Sequence, residues 1–192
     1  SSYHLSKKNR GFSFNDEKGL DMRFNQKKGD LNAEMIVNTF SVEDLARIFF
    51  EYGEERFSRR ISRAIVSYRR RKRIKTAKEL ADIILKAYPA NMRSHRIHPA
   101  TRCFQALRIY VNDELNEINR GLKKAFKVVG KGGRIAVISY HSLEDRIVKN
   151  LFKEANKEGY QILTKKPLRP SQQEVQNNRR ARSAKLRVLM KE

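Results

Sequence analysis

The stretch from Gly132 to Lys149, Gly-Gly-Arg-Ile-Ala-Val-Ile-Ser-Tyr-His-Ser-Leu-Glu-Asp-Arg-Ile-Val-Lys, constrains the fold more than any other. A Gly-Gly turn leads into an apolar, partly β-branched run, Ile135 to Ile138, short enough for a strand. With no polar alternation, such a strand is expected to be buried on both faces, as in a parallel sheet covered by helices. Ser139, Tyr140, His141 and Ser142 follow, and then a new helical pattern begins, with Ser142 and Asp145 at capping-box spacing. In an open α/β sheet, ligands bind at the carboxyl ends of strands. Ser139 and His141 are therefore the candidate catalytic residues. The plainer alternative is that Ser142 only caps the helix and His141 is a turn residue.

The chain before this stretch reads as helical from about residue 31 to 97. A first helix covers Ala33 to Asn38. Ser41 with Asp44 resembles a capping box, after which Val42, Leu45, Ile48, Phe49 and Tyr52 recur at helical spacing up to Gly53. Glu54 to Lys72 forms the next helix on Phe57, Ile61, Ala64, Ile65 and Tyr68. Thr76 and Glu79 box a further helix, with Leu80, Ile83, Ile84 and Ala87 inward and Pro89 as its stop. Residues 1 to 30 are Gly-punctuated but carry Phe12, Phe14, Leu20 and Met22, which suits an ordered loop more than a tail. After His98-Pro99, apolar residues from Phe104 to Val129 step by three and four, as in one long helix bent near Asn112 or Gly121. Tyr160 to Thr164 reads as a strand and Pro167 to Arg182 as a polar loop. In Ala184 to Met190, Leu186, Val188 and Met190 alternate with Lys185, Arg187 and Lys191, the pattern of a half-buried antiparallel strand. Helix, strand, helix, strand, strand is the closing half of a doubly wound sheet with a terminal hairpin.

Charge narrows the partners. The 43 basic and 21 acidic residues leave a net +22. A chain this basic repels itself and favours a polyanion, nucleic acid first. No apolar run approaches transmembrane length, so a membrane partner is not expected. A single cysteine, Cys103, leaves no internal disulfide and suits a reducing, cytoplasmic setting. Arg56, Arg59, Arg60 and Arg63 share a helix face at three-and-four spacing with almost no acidic opposition. Like charges so placed weaken a helix, which favours phosphate contact over a merely solvated face.

Other chemistry is thinly represented. There is no phosphate loop of the Gly-x-Gly-x-x-Gly or Walker type, and Gly130-Lys-Gly-Gly precedes a strand instead of following one. His95-x-x-His98 has no further ligands at zinc spacing, so no metal site is assigned. His141 with Glu144 or Asp145 could form an acid–base pair, although acidic residues are favoured at a helix start in any case.

Several blocks together resemble one family: Arg10-Gly-Phe-Ser-Phe, Leu20-Asp-Met-Arg, Tyr52-Gly-Glu-Glu-Arg-Phe, His98-Pro-Ala-Thr-Arg-x-Phe-Gln-Ala-Leu-Arg-Ile, the Gly132–Lys149 stretch and Asn178-Arg-Arg-Ala-Arg-Ser-x-Lys-Leu-Arg. They look like the bacterial small-subunit (16S) ribosomal RNA cytosine-N4 methyltransferases, which use S-adenosylmethionine. The resemblance implies the C-terminal half of a class I (Rossmann-like) methyltransferase sheet with an inserted all-helical domain. Residues 1–29 would be an active-site loop region, 30–97 the inserted RNA-recognition domain and 98–192 the closing half of the α/β domain. Family members carry a further N-terminal segment with the cofactor loop, and Ser1-Ser2 resembles the end of an Asp-Leu-Gly-Val-Ser-Ser motif in it. Of the cofactor contacts only the position of His4 remains. RNA contact is expected at Arg23, Arg56, Arg59, Arg60, Arg63, His98, Arg102, Arg108 and Arg182, with 16S RNA or the small ribosomal subunit as partner. The alternative is an RNA-binding fragment without catalysis. An unpaired strand edge would also permit a homodimer.

Overall fold

A computed structural model of the chain describes residues 9–27, 29–93 and 98–192. The fold is α/β, many helices with one small antiparallel sheet, and it divides into two compact units, Ser1–Asp113 and Glu114–Glu192.

The first unit is built on five α-helices among its described residues: α1 (Ala33–Thr39), α2 (Val42–Gly53), α3 (Ser58–Arg69), α4 (Ala77–Ala87) and α5 (Thr101–Asn112). Local capping sets their starts. Ser41 Oγ accepts the Asp44 amide at 3.0 Å, and Thr76 with Glu79 forms the expected reciprocal box. The helix expected from Glu54 starts only at Ser58, because Glu54 takes a left-handed φ of 50° and ends α2. Leu45, Ile48 and Phe49 of α2, Ile61 and Ile65 of α3, and Leu80 and Ile84 of α4 meet in one core. Gly53 permits the packing of α2 on α5. A Cβ there would lie 2.6 Å from the Arg102 carbonyl oxygen.

The early loop is ordered and belongs to this core. Leu20 and Met22 are fully buried, and Met22 holds a left-handed φ of 61°. Asn112, the last residue of α5, secures it: its Nδ2 donates to the Met22 carbonyl at 2.7 Å and its Oδ1 accepts the Phe24 amide at 2.6 Å. The single long helix expected after residue 98 is thus two helices. The break falls at Asp113, which adopts a left-handed φ of 51°.

The second unit holds α6 (Glu114–Val128), β1 (Arg134–Ser139), α7 (Ser142–Ala155), β2 (Tyr160–Ile162), α8 (Gln172–Asn177) and β3 (Lys185–Lys191). The strand order is β1-β3-β2, with β3 antiparallel to both neighbours, Ile135 opposite Leu189 and Val137 opposite Arg187. A core of Leu122, Val148, Leu151, Phe152 and Leu189 covers one face, with Ile135 and Val137 against it. Two expectations are corrected here. First, β1 is not buried on both faces: Ala136 and Ile138 are exposed, Ile138 at 55%. Its only pairing among the described strands is antiparallel, because β3 lies between β1 and β2. Second, the inward side of β3 carries Arg187 (7% exposed) and Leu189, while Leu186, Val188 and Met190 are half-buried. A charge faces inward because an acid on α7 receives it. The polar loop after Pro167 also contains α8 and a 3₁₀ turn, Arg179–Ser183.

The tight α2–α5 crossing predicts that Gly53→Ala forces the two backbones apart. Overpacking of this kind costs about 1–3 kcal/mol, to be read as a shift in the denaturant midpoint without loss of helical circular dichroism.

Candidate functional site

Two places carry the candidate residues, one in each unit. In the first, Arg56 precedes α3 and Arg59, Arg60 and Arg63 lie on it, all exposed, lining a groove of about 880 Å³ formed with α2. Among the described residues, Arg59, Arg60 and Arg63 make no ion pair. Arg56 stacks its guanidinium over the Phe57 ring, 4.8 Å from the centroid, and donates to Met92 Sδ at 3.2 Å. The four arginines that the sequence places on one face all line this groove. The sequence does not single out Phe50, which projects into the same groove and is 63% exposed. The available signal was an aromatic residue standing off the apolar stripe Val42, Leu45, Ile48, Phe49 and Tyr52.

A buried carboxylate shapes the turn that presents them. Glu55 is fully buried between α2 and α3. Its Oε1 accepts the Phe57 amide at 2.8 Å, its carbonyl accepts the Ser58 amide at 3.2 Å, and the Tyr88 hydroxyl donates to its Oε2. Burial, then the hydrogen bond to Glu55 and its charge, push the Tyr88 hydroxyl pKa far up, so that it remains a donor. Burial likewise pushes the neighbouring Cys103 thiol well up, which leaves it inert.

The other expected RNA contacts are dispersed. Arg23 is committed within its loop: it pairs with Asp21 at 2.7 Å and donates to the Gly29 carbonyl at 2.6 Å. Burial raises Asp21, but hydrogen bonds from Arg23 and Gln26 outweigh it and bring the carboxyl down to about 2. His98 stacks on Phe14 and accepts the Ala100 amide through Nδ1 at 3.1 Å, which helps to start α5. Arg102 donates to the Glu54 carbonyl at 3.2 Å, and Arg108 is half-buried on α5. Arg182 is exposed in the second unit. His4 lies outside the described residues.

In the second unit the carboxyl end of β1 gathers the candidate catalytic residues. Ser139 is 2% exposed, and its Oγ has no hydrogen-bond partner among the described residues. His141, not Ser142, caps α7: its Nδ1 accepts the Glu144 amide at 3.4 Å, and Glu144 Oε2 accepts the amides of Tyr140 and His141 at 2.7 and 3.3 Å. The capping box is thus shifted one residue from its expected place. His141 Nε2 is buried and lies 3.3 Å from Glu144 Oε1, at an angle that makes no good hydrogen bond. Glu114 joins them, with one ligand-type atom from each of the three residues within 4.8 Å of the others. Because Nδ1 accepts from an amide, the network assigns the neutral imidazole proton to Nε2, facing Glu144. That arrangement suits hydrogen-bond donation by Nε2 and not metal ligation through it. Asp145 turns the other way. Its carboxylate receives Arg187 Nε at 2.7 Å and lies 3.6 Å from Lys185 Nζ.

The comparisons with known proteins fit these observations. Residues 1–192 match the model of the MraW methylase family along their whole length. The chain belongs to that family. A protein of Sulfurihydrogenibium sp. (strain YO3AOP1) named ribosomal RNA small subunit methyltransferase H is 53% identical over 180 residues, 93% of this chain and 61% of that protein. A protein of the same name from Acidobacterium capsulatum is 52% identical over all 192 residues, 63% of its own length. Another from Leptospira interrogans (serovar copenhageni) is 49% identical over 192 residues, 57% of its length. This methylase-family chain therefore spans less than two thirds of the curated relatives it matches.

Two expected outcomes follow, one from the buried hydrogen bond of Glu55 and one from the ion pair of Asp145. Tyr88→Phe leaves one Glu55 oxygen buried without its donor, so it is expected to cost about 1–3 kcal/mol in chemical denaturation. The hydrogen bond from Arg187, against an opposing effect of burial, holds Asp145 below the ordinary carboxylate value of 3.8. A lowered folded pKa contributes stability that is present above that value and lost as pH falls below it. Asp145→Asn is expected to lower stability at neutral pH by about 3 kcal/mol and to flatten the loss of melting temperature on acidification, measured from pH 7 downward against the parent.

Proposed function

We propose that this methylase-family protein transfers a methyl group from S-adenosylmethionine to the exocyclic N4 of a cytosine in small-subunit (16S) ribosomal RNA, acting in the cytoplasm. The observation that carries the reading is 52% identity over all 192 residues to a protein named as a ribosomal RNA small subunit methyltransferase. The basic groove on α2 and α3 supports an RNA substrate. Among the described residues, no helix is long and apolar enough to cross a membrane.

The finer architecture belongs to the same proposal. The order β1-β3-β2, with antiparallel β3 inside, is taken as the closing edge of a class I methyltransferase sheet. Its uncovered face bears Ile138, Leu186, Val188 and Met190, as a doubly covered sheet would need. Residues 1–29 serve as an active-site loop, 30–97 as an inserted RNA-recognition domain and 98–192 as the closing half. Arg56, Arg59, Arg60 and Arg63 hold phosphates, and Arg102, Arg108, His98, Arg23 and Arg182 are secondary contacts.

The chemistry asks for positioning. The cytosine amine is a poor nucleophile, because its lone pair is delocalised into the ring. Aligning it for in-line attack contributes roughly 7–11 kcal/mol where geometry is good, and the base must be unpaired or extruded to be reached. S-adenosylmethionine, when bound, supplies an electrophilic methyl group. His4 is the residue proposed to contact it. The two buried atoms left without partners at the end of β1, Ser139 Oγ and His141 Nε2, fit a polar ligand group at this edge. Ser139 Oγ accepts from the amine. His141, held in place as the cap of α7, donates its Nε2–H to the base, and the proton that the amine releases passes to solvent.

Incubation of small ribosomal subunits with the protein and methyl-labelled S-adenosylmethionine, followed by nucleoside mass spectrometry, should yield N4-methylcytidine. RNA binding without methyl transfer would replace this reading with an RNA-binding role alone. His141→Asn retains a capping side chain but loses the Nε2–H donor, so it should melt like the parent while turnover falls about 100-fold or more at unchanged RNA affinity. Unchanged turnover would remove His141 from the mechanism.

A further inference from the structure

The groove between α2 and α3 combines features that a phosphate-binding face alone does not require. α2 presents Arg47 and Phe50 to it, and α3 with its preceding turn presents Arg56, Arg59, Arg60 and Arg63. Glu43 is the one acid among the described lining residues, so five arginines face a single carboxylate there. Arg47 is already paired with Asp44 at 2.9 Å. The uncompensated charge is therefore concentrated on Arg59, Arg60 and Arg63, next to Phe50. A single exposed aromatic residue is ordinary. One that stands in a concave, arginine-lined groove is not accounted for by solvation, and the core on the opposite side of α2 is complete without it.

We infer that this groove binds single-stranded RNA, with an unpaired base stacked on the Phe50 ring and the flanking phosphates held by Arg59, Arg60 and Arg63. The inference rests on the RNA-substrate reading above and adds to it the strandedness of the ligand and the residue that senses it. Every base has a π-face, but only an unstacked base can offer it to a side chain. A duplex keeps its bases stacked, so it can reach the arginines and not Phe50. Arginine supplies both a phosphate partner and, through its planar guanidinium, a second surface for stacking. Arg56, lying over Phe57, shows that geometry already made within the groove. Charge decides against an apolar protein segment as the occupant, because such a segment would bury arginines without an anion.

The test uses the full chain and a fluorescent, unstructured RNA of about a dozen nucleotides, within the usual span of single-strand sites, beside the same sequence as a duplex. Phe50→Leu keeps bulk and removes the π-face, whereas Phe50→Tyr keeps it. Phe50 is exposed, so both variants should melt like the parent. Phe50→Leu is expected to weaken single-strand binding by about 5- to 100-fold, to leave duplex binding and its salt dependence unchanged, and to be matched by no loss in Phe50→Tyr. Parent-like single-strand affinity in Phe50→Leu would overturn the stacking inference. So would an equal loss on the duplex. The Arg59→Ala/Arg60→Ala/Arg63→Ala variant separates that failure from the failure of the broader reading: its log-affinity against log-salt slope should fall by about 2 on the single strand and about 3 on the duplex. An unchanged slope on both RNAs would show that the groove is not the RNA face at all and would overturn the broader reading with it.

Discussion

The carboxylate of Glu55, buried with no basic partner in direct contact among the described residues, is the constraint on which the first unit turns. Removing a carboxylate from water is tolerated only where donors converge on it. Here the Phe57 amide and the Tyr88 hydroxyl do so, one from the start of α3 and one from the end of α4. The turn between α2 and α3 is thereby fixed at both ends, by Glu54 in its left-handed conformation and by Glu55 in its polar cradle. What emerges from that turn is Arg56 and the arginine face of α3. A basic surface whose like charges oppose helix formation is thus anchored by an interaction on the inner side of the same few residues.

The second unit applies a similar device to its sheet. Arg187 occupies an inward position on β3 where an aliphatic residue would ordinarily sit, and Asp145 on the first turn of α7 receives it. The pair sets how α7 lies on the sheet, and α7 begins with His141. The imidazole is therefore positioned twice, by its role as helix cap and by the ion pair one residue past Glu144.

Much of this was legible in the sequence, and the exceptions have physical reasons. Helix spans near Ala33, Val42, Ala77 and Thr101 follow from apolar periodicity and from Ser41 and Thr76 as caps, because those signals are local. The start of α3 was misplaced because Glu54 and Glu55 look like a helical first turn, and only tertiary burial makes one a cap and the other a core residue. The inward face of β3 was misread because alternation shows two faces but not which one meets α7. A buried, paired arginine looks like a surface residue until its acid is located. A continuous apolar run such as Ile135–Ile138 reports hydrophobicity and not which neighbours are present, so it suggests covering on both sides where the strand has it on one. At the candidate sites, residue types and spacing sufficed to bring Arg56, Arg59, Arg60 and Arg63 to one groove. They did not suffice for Phe50 or Glu114, which reach their clusters through the packing of separate elements or across an intervening strand.

The strand order has a consequence for how the second unit comes to be folded. β3 is the middle strand of the sheet and the last of the three in chain order, about fifty residues beyond β1. Neither β1 nor β2 has a hydrogen-bonded neighbour in this sheet until β3 has been synthesised. During synthesis the helices of the first unit can close on local contacts, while the apolar residues of β1 wait through α7 and the whole arginine-rich loop. Long-range pairing of this kind is slow to form. The pairing of the sheet resides in a segment that ribosomes deliver late, and the dense positive charge of the chain keeps the waiting intermediate apart from its own copies.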